Sequence, residues 1–351
     1  MYQSSLFFLL RRYYIKTTSW EYWPMWIVYF PVSFYYIFLA IKARSFFFFS
    51  ASNPTIETGG MFFESKWKIF ELIPQKYFPS TIYIEETDNL NIVLNKLNTH
   101  NVFFPIITKP DRGERGWCVQ KINNEVELKT YINKMNIPFL IQSYIDFPLE
   151  FSVFYFRNPN SIKGKVTSVT LKKLLSVKGD GTSTIEQLIL KNDRAFLQYH
   201  HLKNNRLINF NKVLNKEEEQ VLVPYGNHVL GAMFLNYNNI IDEQLNNTFN
   251  EISKQIDGFY FGRFDLRCTS IEDLKQGKNI SILELNGAGA EPAHIYDPKF
   301  SFIKAQQVIA QHYKMMHQAS TSNNKKGIAF MSYTDFKNWR KLEKEFKQKV
   351  A

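Results

Sequence analysis

Gly262-Arg263-Phe264-Asp265-Leu266-Arg267, followed by Ile282-Leu283-Glu284-Leu285-Asn286-Gly287, is the stretch from which the rest of this 351-residue chain can be read. Each segment is short and apolar with polar side chains at alternate positions, the pattern of a half-buried strand. In a strand, Arg263, Asp265 and Arg267 share one face, and Glu284 and Asn286 share one face of theirs. Paired as neighbours, the two strands bring two carboxylates and a carboxamide together, with no cation of the protein's own bound between them. Hard oxygen donors in that arrangement suit magnesium, which typically keeps a few carboxylates plus substrate phosphates. Arg263 beside them is placed to hold a phosphoryl or acyl oxygen as charge develops on it. The competing reading is two amphipathic strands whose polar faces meet solvent.

The second part of the pattern lies upstream. Val102 to Pro110 is an apolar strand ending in Lys109-Pro110, followed by the loop Asp111-Arg112-Gly113-Glu114-Arg115-Gly116 and a strand-like Trp117-Cys118-Val119. A glycine loop between strands lets backbone amides approach phosphates. It is not a P-loop, because no Gly-Lys-Ser/Thr follows and a strand rather than a helix comes next. Phe139 to Ile145 is a strand running into a turn and then Glu150, and Lys165 to Lys173 is an alternating strand tipped by Lys172 and Lys173.

Taken in order, these segments resemble the ATP-grasp superfamily of carboxylate–amine ligases, typified by D-alanine–D-alanine ligase, from about Asn101 to about His294. The resemblance implies an α+β chain with an ATP-grasp fold, two α+β subdomains clamping ATP. It implies that Lys109 contacts nucleotide phosphates, that the loop with Gly113 and Gly116 closes over them, and that the hinge Gln142, Tyr144 and Ile145 holds adenine through its backbone. Glu150 would bind the ribose. The hinge commonly starts with Glu, so Gln142 departs from the pattern. A second phosphate-contacting lysine is expected at Lys172, with Lys173 the alternative. Asp265, Glu284 and Asn286 would hold two magnesium ions, or manganese, against ATP, and Arg263 would steady the tetrahedral intermediate. Gly287 to Pro292 resembles the family's small-residue turn in size but not in letter.

Lys178-Gly179-Asp180-Gly181-Thr182-Ser183-Thr184-Ile185 resembles an element inside the ATP-grasp domains of cyanophycin synthetases, which points to amide-bond ligases acting on amino-acid-like substrates. Physically it reads as a glycine turn and then a helix capped by Ser183 or Thr184.

The N-terminal part is of another kind. Between Glu21 and Lys42 lie twenty residues without a charge, rich in aromatics, with Trp20, Trp23 and Trp26 at one end and Arg11, Arg12, Lys16, Lys42 and Arg44 on the flanks. As a helix they would reach about 30 Å, the thickness of a bilayer's hydrocarbon core; tryptophans suit its interface. Pro24 and Pro31 make a broken, interface-lying hairpin a competitor to a clean span, and a buried soluble helix is the third reading. The run is too long for a signal peptide. ATP chemistry then requires the remainder to lie in the cytosol, on the inner face of a bacterial membrane. Two cysteines, Cys118 and Cys268, make no disulfide framework, in keeping with a reducing compartment. The net charge of +11 raises nucleic acid as a partner, but the cations are scattered, and an anionic membrane surface accounts for them without nucleic acid.

The expected organisation is a membrane-associated segment over 1–44, a shortened βαβ-like unit over 45–100, the ATP-grasp domain over 101–318, and a linker with a charged, solvent-facing tail helix over 319–351. Within 45–100, Ser45 to Ser50 reads as a buried strand, 63–72 and 89–97 as helices and Thr81 to Ile84 as a strand; Asn53, Glu57 and Gly60 are candidates to line an acceptor site. His201, His228 and His294 are left outside the site, since a lone histidine is more often structural. The expected activity is an ATP-dependent ligase joining a small carboxylate and an amine, amino-acid-like or lipid-linked, through an acyl phosphate. A phosphotransferase on the same fold and a non-catalytic ATP-binding regulator are the alternatives, and a homodimer is left open.

Overall fold

The computed structural model describes residues 5–114, 116–204 and 208–349. Residues 1–4 of the expected N-terminal segment, Arg115 of the glycine loop and Val350 of the expected tail helix therefore lie outside the described residues. In chain order come helices α1 (Ser5–Thr18), α2 (Met25–Ala43) and α3 (Lys66–Leu72), strand β1 (Thr81–Ile84), α4 (Leu90–Thr99), β2 (Ile106–Pro110), β3 (Gln120–Ile122) and α5 (Glu125–Ile132). Then follow β4 (Phe139–Ser143), β5 (Leu149–Phe156), β6 (Lys165–Lys173), β7 (Leu175–Lys178), α6 (Ile185–Lys191), α7 (Asp193–Leu197), α8 (Tyr199–Lys203), β8 (Glu219–Val223) and β9 (Met233–Asn236). The last elements are α9 (Glu243–Lys254), β10 (Phe261–Cys268), α10 (Ile271–Gln276), β11 (Ile280–Asn286), α11 (Phe302–Lys325) and α12 (Tyr333–Gln348). This is the mixed α/β architecture with antiparallel sheets expected of the fold.

The chain divides into two compact units, one of residues 34–169, 237–292 and 308–351 and one of residues 1–33, 170–236 and 293–307; three of the five divisions fall within α2, β6 and α11. In the larger unit, one antiparallel sheet has the order β1-β4-β2-β3. Its apolar face takes Ile82, Ile84, Ile106, Ile122, Phe139 and Ile141, and α4 and α5 cover it with Val93, Leu97, Leu128 and Tyr131. Both helices start where an asparagine satisfies an orphan amide: Asn89 accepts from Ile92 N and Asn124 from Glu127 N. The other sheet of this unit runs β11-β10-β5-β6. Its core joins Phe154, Phe156 and Phe261 to Met316 and Ala319 of α11.

The smaller unit holds the antiparallel β7–β8 pair and a cluster of Leu175, Val177, Ile185, Leu188, Ile189 and Leu222. Here Thr184, not Ser183, caps α6, in a capping box with Gln187. Asp180 accepts from the amides of Thr182 and Ser183 and so fastens the turn in which Gly181 takes φ +82°.

Several expectations are corrected. Ser45 to Ser50 is not a strand; Phe48–Ala51 is a 3-10 turn. Phe48 and Phe49, adjacent in sequence, are both buried, which an alternating strand would not allow. The 45–100 region therefore contributes one strand, β1, to the first sheet, and no βαβ unit forms. The predicted strand at Trp117–Val119 is displaced to Gln120–Ile122. Residues 320–325, read as a linker, continue α11. The tail helix is not wholly solvent-facing: Phe336 stacks on Phe47, and Phe346 and Trp339 meet Phe63 edge-on.

Asn53 explains why this abbreviated region is firmly held. Its Nδ2 donates to the carbonyls of Gly59 (2.9 Å) and Phe261 (2.8 Å), and its Oδ1 accepts from the amides of Tyr260 (2.9 Å) and Phe261 (3.0 Å). It is fully buried and ties the 57–60 turn to the start of β10. Asn53→Ala leaves these backbone groups unsatisfied and is expected to lower the unfolding free energy by about 2–4 kcal/mol. Urea denaturation of the two proteins measures the difference; a loss near zero would mean that the asparagine is not a structural tie.

Candidate functional site

Strands β10 and β11 pair antiparallel with Arg263 opposite Asn286 and Asp265 opposite Glu284. Past Asp265 the register shifts, and Leu266 faces Ile282. Leu283 is thus an extra residue, a β-bulge. Its consequence is a change of face. Strict alternation would put Ile280, Ile282, Glu284 and Asn286 on one side of the sheet. With the bulge, Ile280 and Ile282 stay opposite Cys268 and Leu266, while Glu284 and Asn286 turn to the side of Asp265 and Arg263.

The bulge carbonyl also receives a cation. Lys109, at the end of β2, donates from Nζ to Leu283 O (2.9 Å) and to Gln142 Oε1 (3.1 Å), over the ring of Phe70. Gln142 is fixed in turn by donating from Nε2 to Thr81 Oγ1 (2.9 Å). The departure from glutamate at this position therefore gives Lys109 a neutral acceptor. Burial lowers the Lys109 ammonium to about 8, against the pull of Glu284. Here the lysine and the acidic strand meet, as the sequence order predicts.

Asp265 is more heavily engaged than expected. Arg263 folds back on it, Nε to Oδ1 at 2.8 Å and Nη2 to Oδ2 at 3.0 Å, and Ser152 Oγ donates to Oδ1 at 2.6 Å. The expectation that no protein cation lies among the carboxylates is overturned. A half-buried guanidinium beside a buried carboxylate on one strand face forms the bidentate pair. Burial disfavours the charged arginine, and Asp265 outweighs it, holding the group well above its ordinary value. Arg263 Nη1 donates further to Glu291 O (2.9 Å), so three of its five N–H groups are committed within the protein.

The turn from Ser143 to Glu150 is organised by Arg267, a residue on the same face for which no role is predicted above. Its Nη1 donates to Ile145 O (2.8 Å) and its Nε to Glu150 Oε2 (3.3 Å). Tyr144 lies under the Lys121 ammonium, 3.7 Å from the ring centroid, and borders a shallow depression of about 510 Å³ with Phe104, Ser143 and Asp146. In the glycine loop, Gly113 (φ +135°) and Gly116 (φ +74°) adopt conformations that L side chains rarely take, and Lys66 Nζ donates to Gly113 O (2.6 Å). In the smaller unit, Lys172 is buried opposite Phe234, while Lys173 is exposed.

Other candidates are spent on structure. Asn53 is the buried tie described above. Glu57 pairs with Arg112 (2.9 Å) and Lys68 (2.5 Å). Gly60 lies so close to Gly287 that a Cβ on it would come 2.6 Å from Gly287 Cα. His228 pairs with Glu21 (3.0 Å), His294 is buried edge-on to Phe300, and His201 is exposed.

Glu64 was missed. Its Oε2 is buried with no hydrogen-bond partner. Burial raises its carboxyl above the ordinary value, with Glu114 and Glu284 adding to the rise and Lys66 opposing it. Nothing in its spacing marks it, since it follows two phenylalanines and precedes the cap of α3. Among the described residues no three His, Cys, Asp or Glu side chains form a ready metal cage. Two carboxylates and an amide nonetheless suit magnesium, which keeps waters and phosphate oxygens, and the orphaned Glu64 oxygen shows that the neighbourhood has anionic capacity to spare.

No family model matches the chain, and no curated protein matches it. Solved structures do. The chain is similar to the bifunctional glutathione synthetase from Pasteurella multocida (15% identity, 71% of this chain and 36% of that one, TM-score 0.39). It is also similar to VanG D-Ala:D-Ser ligase from Enterococcus faecalis (13%, 73% and 62%, 0.40) and to D-alanine–D-alanine ligase from Bacillus anthracis complexed with ATP (13%, 75% and 68%, 0.41). Each carries a ligase or synthetase name. The match spans about a third of the first protein and under two thirds of the second. At these scores the likeness is distant, and the functional assignment rests on the side chains.

Glu64 provides a pH test. Its folded carboxyl titrates above its unfolded value, so the native state binds a proton that the unfolded state has released, and stability falls as pH rises through that window. Glu64→Gln is expected to be more stable than the parent at pH 7 in the absence of nucleotide and metal, with the gain disappearing below about pH 4.5. Thermal melts across pH check this; a gain of equal size at both ends would show that charge is not the cause.

Proposed function

We propose that the protein is an ATP-dependent carboxylate–amine ligase that forms an amide through an acyl phosphate. The observation that carries the proposal is the meeting of Lys109 with the β11 bulge, one residue before Glu284 and across the strand from Asp265. A cation suited to phosphate and a hard-oxygen set suited to magnesium are thereby fixed side by side.

In this reading Lys109 and Lys172 hold the nucleotide phosphates, the loop of Gly113 and Gly116 covers them, and Gln142, Tyr144, Ile145 and Glu150 bound the adenosine. Asp265, Glu284 and Asn286 hold magnesium. When bound, the ions screen the charge of the triphosphate and draw electrons from its terminal phosphorus. Arg263 keeps two N–H groups for a substrate oxygen, where they stabilise the charge that develops as the carboxylate oxygen takes the terminal phosphoryl group of ATP, ADP leaving with the pair of the broken P–O bond, and, later, as the amine adds to the acyl carbon. The amine then forms the C–N bond, phosphate leaves with the bonding pair of its C–O bond, and the amine loses a proton. No protein nucleophile is required, since positioning and charge stabilisation carry the reaction. Both substrates are small molecules, amino-acid-like or lipid-linked. The reading puts the enzyme on the cytoplasmic face of a bacterial membrane, where ATP is available and the exposed apolar helix α2 finds cover.

The test is ADP release from purified protein, ATP and magnesium with pooled carboxylates and amines. Release that needs both a carboxylate and an amine is expected. Release with one substrate identifies a phosphotransferase, and none under any mixture, despite nucleotide binding, a regulator. Asp265→Asn and Glu284→Gln are each expected to lower turnover by at least about a hundredfold; near-parental rates in both would remove the metal assignment.

Lys109 adds a pH signature. Its ammonium is lowered to about 8 by burial, so the free protein loses a phosphate-binding charge as pH rises through that value. ATP affinity, measured by calorimetry, is expected to weaken from pH 7 to pH 9 in the parent and to change less in Lys109→Arg, whose guanidinium stays charged. Equal weakening in both would assign the pH effect elsewhere.

A further inference from the structure

Helix α2 is apolar on every side, and such a helix needs apolar cover all round. The protein supplies it on one side only. Val28, Val32, Leu39 and Ala40 are buried, whereas Trp26, Phe30, Phe34, Ile37, Phe38 and Ile41 are exposed, with Trp26 and Ile41 each 72% accessible. Their spacing of three and four residues draws one stripe along the helix. Helix α1 likewise exposes Leu6, Leu9, Leu10 and Tyr13.

The charges that flank it in sequence are mostly of one sign. Arg12, Lys16, Lys42 and Arg44 flank the stripe in sequence, and the only acid before Glu57 is Glu21. Glu21 is not presented to solvent. It is paired within the smaller unit with Arg194 (2.5 Å) and His228 (3.0 Å); burial, which would raise its carboxyl, is outweighed by these partners. The accessible Asp193 beside α1 is paired with Arg11 (2.6 Å), and an apolar stripe edged by an excess of cations is complementary to an anionic lipid surface.

The same contacts exclude a crossing. The segment before α2 is fixed by the Glu21 pairs and by Trp20 Nε1 donating to Phe300 O (2.8 Å). Within the helix, Gln306 Nε2 donates to Val28 O (2.9 Å). Beyond its middle, Tyr36 donates to Phe46 O (2.7 Å), and Leu39 and Ala40 share a core with Met316 and Ala319. A helix fixed to folded protein at both ends and along one side would drag that protein into hydrocarbon if it spanned.

We propose that α2 lies in the plane of the membrane and seats the protein on an anionic bilayer through the stripe of Trp26, Phe38 and Ile41, without crossing it. The proposal rests on the membrane attachment put forward above, and is independent of which reaction the site performs. Only a substrate that is lipid-borne, or that diffuses in from the cytosol, would then reach the protein.

The experiment adds the full-length chain to preformed sealed vesicles, either of phosphatidylcholine alone or of phosphatidylcholine with phosphatidylglycerol, and measures co-sedimentation. A membrane-impermeant maleimide then labels Pro24→Cys and Lys42→Cys, each scored above the parent, whose Cys118 is partly exposed. The expected result is binding to the anionic vesicles, weakened several-fold when salt rises from about 0.1 M to about 1 M, with both new cysteines labelled from outside. The triple variant Trp26→Ser/Phe38→Ser/Ile41→Ser is expected to lose about tenfold or more in partitioning while keeping the parental unfolding midpoint. Binding with one cysteine protected would overturn the in-plane seat and keep attachment. No binding by the parent would overturn both. Parental binding by the triple variant would overturn the stripe, as would a parent dimer that binds no vesicles and becomes a monomer on the triple substitution.

Discussion

Leu283 is one residue more than the β10–β11 ladder accommodates, and the polar face of the site depends on that excess. Side chains alternate along a strand with a period of two, so a one-residue slip moves every later side chain to the other face. Upstream of the bulge β11 serves the core through Ile280 and Ile282; downstream it serves the site through Glu284 and Asn286. The strand thus performs two tasks that a regular ladder would set against each other. The unpaired carbonyl it leaves is not an orphan, since Lys109 takes it up. A buried ammonium needs an acceptor, and a bulge carbonyl needs a donor. One contact satisfies both and joins the β2 end of the first sheet to the β11 edge of the second.

Around that contact the charges are arranged to hold side chains in place before any ligand arrives. Arg263 clamps Asp265 in bidentate fashion, and Ser152 fixes one of the same oxygens from β5. Arg267 performs the equivalent task for the hinge, reaching Ile145 O and Glu150 from β10. Arg263, Asp265 and Arg267 are therefore successive same-face residues of one strand with distinct work: the first two form the ion pair of the site and the third aligns the hinge. Glu64 is the exception, a buried carboxylate oxygen left without a donor. A buried carboxyl oxygen left unpaired, with Glu284 adding negative potential, is suited to receive positive charge.

Much of this was legible in the sequence because period-two alternation and the order of motifs survive without coordinates. The strands at 106–110, 139–143, 165–173, 261–268 and 280–286 stand where the apolar runs predict them. The bulge was not legible: numbering alone put Glu284 and Asn286 on one face correctly, but also implied that Ile280 and Ile282 share it. Ser45 to Ser50 failed for a related reason. Four consecutive phenylalanines say only that the segment is apolar, and a 3-10 turn burying neighbours is as compatible with that as a strand. Asn53, Glu57 and Gly60 looked like site residues because they are polar or small in a loop. Their partners, the amides at Tyr260 and Phe261, the Arg112 guanidinium and the Gly287 backbone, lie far off in the chain, and only the fold brings them in.

The N-terminal segment shows how a local property acquires meaning from its tertiary partners. Twenty uncharged residues read equally as a span, an interfacial helix or a core helix, since length and hydropathy are the same in all three. What separates them is which side chains the protein itself covers. A core helix would bury its full circumference, and a span would leave its full circumference to lipid. Helix α2 does neither, with Val28, Val32, Leu39 and Ala40 inside and Trp26, Phe38 and Ile41 outside. The decisive residue lies just beyond the uncharged run. Glu21 would be costly at a lipid surface if left accessible, and its burial against Arg194 and His228 both removes a repelling charge and fixes the chain where α2 begins.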